Sequence, residues 1–537
     1  MNTRRRLLSL LAGFCLCLVS LLHLPVVSAE SLSDIDREIQ AAATLSAHRV
    51  GLDAWNISAG VTTGRLDRKI KILQAAGVHP RFYQTSTGRR DYGNFYSFTS
   101  TAGVTDTGFT LVTTADHLRL YRRGSSGYKE ALGYLGSWWG DQYRGIEASR
   151  NEQAILAAWG SDLQRIYVID VPAGYTLVRG MAAPMEKNGE YRGGGADQYY
   201  YRGALSSWLV YALHAPDYLK SYSGAITGAQ RAGRSIAGDL SEHLRHTRHT
   251  AADTGQWSEG QATDPEGTFW LRSYGSDVDS DETDGSSLSS RTGGMSVGWQ
   301  RLMNGAGSAP QSKWYLGLML GQGASSQIYE VSAVETDARA MVGGIYGLYV
   351  HDPEKDRSWY GSWSLLLGRL DFDSSVPGEL GYGLNQEYDG MVTALTVDSG
   401  VSLRQGNGWS VEPQVQFNYT LIGYDAFRDH VGARVSLQQG DSLRGRLGLE
   451  IRKFLNYSSE QSAGLWTRFS YLREFLEGNE VNVAGDLAVS EAEPNSYFLT
   501  FGSDVQLSRN WSLQGQIEKG FGGEEGIQGN LAVKIIW

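Results

Sequence analysis

The sequence predicts a mainly β chain in which a C-terminal half of twelve strands follows a helix and a small α+β domain. Three observations support this. Glycine is abundant at 67 of 537 residues and aromatics make up 11%, whereas proline numbers only 11, a balance that suits many strands joined by turns. From Thr268 onward the chain breaks into alternating segments of strand length separated by clusters of Gly, Asp, Asn and Ser. The last segment carries Leu531, Val533, Ile535 and Trp537 on one face and Ala532 and Lys534 on the other. A strand that is apolar outward, small or polar inward and ends on an aromatic is what the closing strand of an outer-membrane barrel needs; an edge strand of a soluble sheet would read alike.

The N-terminus places Arg4, Arg5 and Arg6 before an apolar run from Leu7 to Val27, and Val27-Ser28-Ala29 precede Glu30. That is the pattern of a secretory signal peptide over residues 1–29, cut between Ala29 and Glu30, although the run is also long enough for an uncleaved anchor. Cys15 and Cys17 are the only cysteines and both lie in this run, so the mature protein has neither disulfides nor thiolate metal sites. Loss of the three arginines takes the formal net charge from −10 to −13, which argues against nucleic acid as a partner. Beyond the signal no apolar run is long enough for a membrane helix. If this chain spans a membrane, it does so as a barrel.

The clearest strand is Trp409 to Tyr419, where Trp409, Val411, Pro413, Val415, Phe417 and Tyr419 alternate with Ser410, Glu412, Gln414, Gln416 and Asn418. Trp511 to Glu518 repeats the split, and so does Leu443 to Arg452, with Arg444, Arg446, Glu450 and Arg452 on its polar side. Candidate strands begin near Thr268, Arg291, Lys313, Thr336, Arg357, Gln386, Gly408, Asp441, Ser462, Asn495, Asn510 and Gln528. Their spacing of about 22 residues fits a tilted spanning strand of roughly ten residues plus a turn or loop. Trp270, Tyr274, Trp314, Trp359, Trp409, Tyr419 and Trp511 sit near strand ends, as an interfacial girdle would.

The run from Ser399 to Arg452, together with FWLRSYG at Phe269, GGMSVGWQRL from Gly293 and the closing GNLAVKIIW, resembles the C-terminal translocator domain of autotransporters. The resemblance implies a twelve-stranded transmembrane barrel over 263–537 in the outer membrane of a Gram-negative bacterium, with the segment ahead of it delivered to the cell surface. It also implies outer-membrane lipid and the barrel-assembly and inner-membrane secretion machineries as partners, a monomeric state, and no cofactor for the barrel. Gly440-Asp441-Ser442-Leu443 spells the nucleophile motif of a lipase family, but a turn into a barrel strand accounts for it.

Ahead of the barrel, Ser223 to Leu244 is rich in Gly, Ala and Ser. A helix of 22 residues is about 33 Å long, close to the thickness of a bilayer core, and its small residues would fit a narrow pore. In the 223–262 linker, Arg231, Arg234, Asp239 and Glu242 would then face polar lumen groups, as the resemblance implies; the alternative is a surface helix of the preceding domain. His243, His246 and His249 follow at intervals of three and read as a solvated tail rather than a metal site, since no carboxylate is placed among them.

Residues 30–222 form the expected passenger. No internal period of a β-helix is present, and the region reads as a compact α+β domain. Helices are expected at Ser33 to Ala47, Arg65 to Ala76 and Glu147 to Trp159, and strands at Asn94 to Thr99, Phe109 to Thr113 and Arg165 to Val171, the last ending in a Pro172-Ala173-Gly174 turn. The block from Leu135 to Tyr201 faintly resembles C-terminal domains of large secreted toxins, some like ADP-ribosyltransferases. Such an enzyme would recruit Ser97, Thr99, Ser100, Glu147, Arg150 and Gln198; no complete catalytic set is present, and hydrogen-bonded structural roles account for each. An adhesin is the other reading. The passenger's ligand and any cofactor are left open. Trp138 and Trp139 read as core, and Gly193 to Gly195 lack the helix and lysine of a phosphate loop. Deletion of Trp537 is expected to impair outer-membrane assembly without altering export across the inner membrane; normal surface display of that mutant would contradict the closing-strand assignment.

Overall fold

The structure is a computed structural model that describes residues 109–125, 138–182, 185–187, 189–200, 206–254, 267–303, 312–353, 355–458, 461–476, 478–508 and 510–536, with short strands at 83–84 and 90–91. Its C-terminal part is a closed barrel of twelve antiparallel strands. They are β1 (Thr268–Asp281), β2 (Ser287–Leu302), β3 (Lys313–Tyr329), β4 (Glu335–Val350), β5 (Arg357–Val376), β6 (Leu384–Gln405), β7 (Trp409–Gly423), β8 (Asp441–Asn456), β9 (Ser462–Glu474), β10 (Asn495–Ser508), β11 (Trp511–Gly522) and β12 (Glu525–Ile536). Closure comes from β12, which pairs with β11 on one side and with β1 on the other, from Thr268↔Ile536 to Asp279↔Glu525. No strand edge remains, so every ladder group can find a partner.

Period-two alternation on a closed sheet sorts side chains between two faces. Outward positions form an apolar belt that includes Leu318, Leu320, Met341, Leu367, Leu447, Phe469, Phe501 and Leu531; Leu320 and Met341 are 66% and 69% exposed. Inward positions hold Arg272, Gln300, Glu412, Glu450, Arg468, Asp504, Glu518 and Lys534, all buried. Leu531, Val533 and Ile535 take the outward parity of β12, and Ala532 and Lys534 the inward one. Two aromatics of the expected girdle belong elsewhere. Trp270 and Tyr274 share the parity of Arg272 and point into the lumen, where Trp270 donates its indole N–H to Tyr346 Oη at 2.8 Å. Trp359, Trp409 and Trp511 do stand on the outside, and Trp314, Tyr349 and Trp359 touch across adjacent strands at centroid distances of 4.7 and 4.8 Å.

One helix, Ala215–Thr254, runs through the lumen. Its 40 residues make a rod of about 60 Å, longer at both ends than the Ser223–Leu244 segment singled out by composition. Ala225, Ile226, Ala229, Ala232, Ile236 and Leu240 lie on one side and are fully buried in a cluster with Met319, Val342, Val392 and Ala394 of β3, β4 and β6. Glycine is needed where the rod meets the wall: a β-carbon at Gly224 would stand 2.7 Å from the Tyr329 ring, and one at Gly233 would stand 3.0 Å from Val392.

Turns at the end that carries Thr268 and Ile536 include the short 406–408 and 509–510 connections, whereas 424–440 and 475–494 at the opposite end are long. These two long loops fold together as a four-stranded sheet of Phe427–Arg428, Arg434–Gln439, Asn479–Val483 and Asp486–Ser490. Val431, Ala433, Val435, Val481 and Val483 form its fully buried core.

The chain divides into two compact units. Together with the helix and barrel, one unit contains 114–150, 155–175 and 203–214, whose strands Leu118–Gly124, Trp138–Gly140, Arg165–Val171 and Leu209–His214 pair antiparallel in the order Leu209–His214, Arg165–Val171, Leu118–Gly124, Trp138–Gly140. Trp139 is buried in it. The described residues of the other unit fall within 1–113, 151–154 and 176–202, where Phe109–Thr113 and Asp197–Tyr200 flank Thr176–Met181. Strands Phe109–Thr113 and Arg165–Val171 occur where the sequence places them, and the Glu147–Trp159 segment resolves into a helix at Ile146–Glu152 and a 3-10 turn at Ala157–Trp159. Helices expected at 33–47 and 65–76 and the strand at 94–99 lie outside the described residues. Replacing Gly224 with valine is expected to lower the temperature at which the folded barrel band converts to the unfolded one on a gel, by the equivalent of about 1–3 kcal/mol of overpacking. Gly238→Ala, where nothing lies within 4 Å of the new carbon, should leave that temperature unchanged or raise it.

Candidate functional site

The lumen is the site, because there the helix that leads into the barrel meets the barrel's own charges. Helical spacing gives the rod a second face opposite its apolar one, and Arg231, Arg234, Asp239, Glu242, Arg245 and Arg248 all lie inside the barrel. Asp239 is held on two sides: Arg272 Nε of β1 donates to its Oδ1 at 2.7 Å, and the Ser296 hydroxyl of β2 donates to Oδ2. Glu242 accepts from Arg245 Nε at 2.7 Å within the helix and from Arg468 Nη2 of β9 at 2.6 Å. Arg245 reaches on to Asp504 of β10 at 3.2 Å and lies over the Trp466 ring at 4.0 Å. Arg248 pairs with Glu412 of β7 and lies 3.6 Å from the centre of the Tyr360 ring. Arg231 donates to Ser280 Oγ at 2.7 Å and Arg234 to Ser442 Oγ at 3.2 Å.

The histidines are not a solvated tail. His243, His246 and His249 are 1%, 3% and 4% exposed, because the helix continues past Leu244 inside the barrel. His243 stacks on Trp270 at 4.4 Å and donates from Nε2 to Gln300 Oε1 at 2.8 Å; His246 lies 3.3 Å from Asp504 and His249 lies 3.0 Å from Glu450. The carboxylates beside His246 and His249 come from the barrel wall rather than from neighbours in sequence. The three rings find separate partners, and among the described residues no metal-holding group occurs.

At the long-loop end the helix is clasped. Tyr218 and Tyr222 both donate to the carboxylate of Asp429, which also accepts the backbone N–H groups of Gly432 and Ala433 at 2.8 Å. Burial raises the pKa of Asp429, opposed by these hydrogen bonds. Thr227 and Ser490 hydroxyls meet at 2.9 Å, and Gln230 Nε2 donates to Asn479 Oδ1 at 2.8 Å, so the loop sheet also grips the rod.

The remaining candidates have structural surroundings. Ser442 opens β8 and donates to Glu474 at 2.6 Å, so the lipase-like letters belong to a lumen network. Arg150 donates to the carbonyls of Ile155 and Ser161, and Gln198 donates to the carbonyl of Gln153. Glu147 is exposed. Gly194 and Gly195 spend their N–H groups on the carbonyls of Asn151 and Ala182. Ala29, Glu30, Ser97, Thr99, Ser100 and Trp537 lie outside the described residues. Arg272, Arg468, Asp504, Tyr218, Tyr222 and Asp429 escaped the sequence reading. For Arg272 the signal was available, since an arginine that shares parity with Trp270 and Tyr274 makes that face inward.

Residues 269–518 match the family described as Autotransporter beta-domain. The C-terminal half of the chain belongs to the autotransporter β-domain family. The β-domain is similar to the pertactin autotransporter of Bordetella parapertussis, at 25% identity over 252 residues, covering 47% of this chain and 26% of that protein. It is also similar to the adhesin BmaC autotransporter of Brucella suis biovar 1, at 25% identity over 237 residues, covering 38% and 7%. The chain therefore spans about a quarter or less of the length of these curated relatives. Among solved structures, the β-domain of the Bordetella autotransporter BrkA aligns at 19% identity and a TM-score of 0.42, covering 51% of this chain and 100% of that one. The translocator domain of NalP from Neisseria meningitidis aligns at 14% identity and a TM-score of 0.42, covering 59% and 99%.

Where the helix meets β1, Asp239→Ala is expected to leave Arg272, which is 2% exposed, without its counter-charge, at a cost of about 3–5 kcal/mol. Heat-dependent gel mobility measures it. The paired change Asp239→Leu with Arg272→Met should recover most of the loss, because it removes both charges together.

Proposed function

We propose that the chain is an outer-membrane autotransporter whose barrel carries the region ahead of the lumen helix across the outer membrane of a Gram-negative bacterium and holds it at the cell surface. The observation that carries this reading is an apolar outer belt around a lumen threaded by a helix that leads into chain outside the barrel. An exposed apolar surface of that extent suits lipid, and only a closed barrel lets strands cross lipid with all backbone groups paired. Barrels of this kind carry long loops outside and short turns in the periplasm. By that rule the clasped N-terminal end of the helix faces the exterior, and Thr268 and Ile536 face the periplasm. In this reading residues 1–29 are the export signal, 30–222 the passenger, 223–262 the linker and 263–537 the translocator, acting as a monomer after the secretion and barrel-assembly machineries have delivered it.

Retention is favoured over release by the contacts of residues 114–150 with the loop between β9 and β10. Arg123 donates to the Asp486 carboxylate and to Tyr143 Oη, and Asp486 Oδ1 also accepts the Ile146 N–H at 2.7 Å. The Gly145 N–H donates to the Ala484 carbonyl at 3.2 Å. Protease treatment of intact cells followed by fractionation tests the proposal. The region ahead of the helix should be cut, the barrel should stay protected in the outer membrane, and untreated cells should shed no passenger. Recovery of the protein from culture supernatant, soluble without detergent and with no heat-dependent mobility, would overturn it. Asp486→Ala should increase protease cutting within 114–150 on intact cells while the barrel remains folded.

A further inference from the structure

The helix does not fill the lumen. It packs its apolar face against the β3 to β6 side and leaves a cavity of about 190 Å³ lined chiefly by β7 to β12 and β1. Facing that cavity the helix presents Arg231, Arg234, Ser235, Gly238 and Ser241, a stripe at i, i+3, i+4, i+7 and i+10. The carboxylates on the cavity wall are already engaged. Asp239 accepts from Arg272, Glu242 from Arg245 and Arg468, Glu518 from Arg446 at 2.6 Å, and Glu524 from Arg444 at 2.6 Å.

Arg231 and Arg234 are left over. Among the described residues each makes one hydrogen bond, to the hydroxyl of Ser280 and of Ser442 respectively, and neither forms an ion pair. Arg231 is 7% exposed and its Nε has no partner. A guanidinium stays charged at any accessible pH, so these two cannot escape their situation by losing a proton. Their heads project from positions one turn apart, about 5–6 Å between β-carbons, into the same space. Both forked donors line one cavity, and the oxygens of a single tetrahedral oxyanion can accept from two such donors at once.

We propose that the lumen cavity is a binding site for a small inorganic oxyanion of the phosphate or sulfate class, held between Arg231 and Arg234. Occupancy gives a direct ion pair to two arginines that otherwise have only hydroxyl partners and ties them together across the cavity.

The test is calorimetric titration of inorganic phosphate into the folded full chain in detergent. Wild type should give a saturable, one-to-one heat. The double variant Arg231→Gln with Arg234→Gln should bind weaker by about tenfold or more, as expected for lost charge-assisted hydrogen bonds. A second variant guards against failure of the first to fold. At Gly238 no atom lies within 4 Å of an added β-carbon, so Gly238→Leu should be accommodated, fill the cavity and abolish the heat. No saturable heat in wild type would overturn the proposal, and so would unchanged affinity in either folded variant.

Discussion

Alternation on a sheet without edges is the constraint on which the rest of this structure depends. Once β12 closes on β1, each side chain on the twelve strands is either on the outer face or inside with the helix. There is no third place. The arginines and carboxylates of β1 and β7 to β11 therefore meet one another and the helix in an enclosed space, and their pairing follows from that confinement. Buried ion pairs contribute little net stability, but breaking one is costly, so such pairs fix which helix, in which rotation and at which depth, can occupy the pore. That gives Asp239 with Arg272, Glu242 with Arg468, and Arg248 with Glu412 the character of a register code.

The helix meets this code with two unlike faces. Alanines and glycines against β3 to β6 allow close approach, as at Gly233 beside Val392, while the charged face reaches the wall through long side chains that flank a cavity. The two ends differ as well. At the long-loop end, Tyr218, Tyr222, Thr227 and Gln230 bind neutral and acidic groups of the loop sheet; toward the other end, Arg245, Arg248, His246 and His249 bind carboxylates of the strands. A rod held by different chemistry at each end has one direction of insertion.

Much of the barrel was legible in the sequence because period two is a local property. WSVEPQVQFNY and LRGRLGLEIR announce their faces without reference to any partner, and strand starts read from turn clusters lie within a few residues of those observed. What the sequence concealed depends on tertiary surroundings. Trp270 looked like a girdle residue because aromatics near strand ends usually are; its parity with Arg272 decides otherwise, and His243 and Tyr346 supply its partners. The stretch after Leu244 reads as a solvated tail because no carboxylate stands among its histidines, yet the barrel supplies Asp504, Glu412 and Glu450 from more than 150 residues away in sequence. The loop sheet was equally hidden: its strands are two to six residues long, too short to show a period, and are paired by loops far apart in the chain. Among the linker residues, Arg231 and Arg234 were visible as charges on a small-residue helix, but only the structure tells which carboxylates are already taken.

The central claim is that the helix rests inside the closed barrel in the register these contacts define. Thr227 and Ser490 offer the most direct measurement, since their hydroxyls touch at 2.9 Å and the sequence after residue 29 contains no cysteine. In cells carrying Thr227→Cys with Ser490→Cys, a short thiol cross-linker should join the helix to the loop between β9 and β10 in the membrane-assembled, heat-modifiable protein, and a pair displaced by one helical turn, Arg231→Cys with Ser490→Cys, should stay unlinked. Equal cross-linking of both pairs, or of neither, in folded barrels would contradict the account.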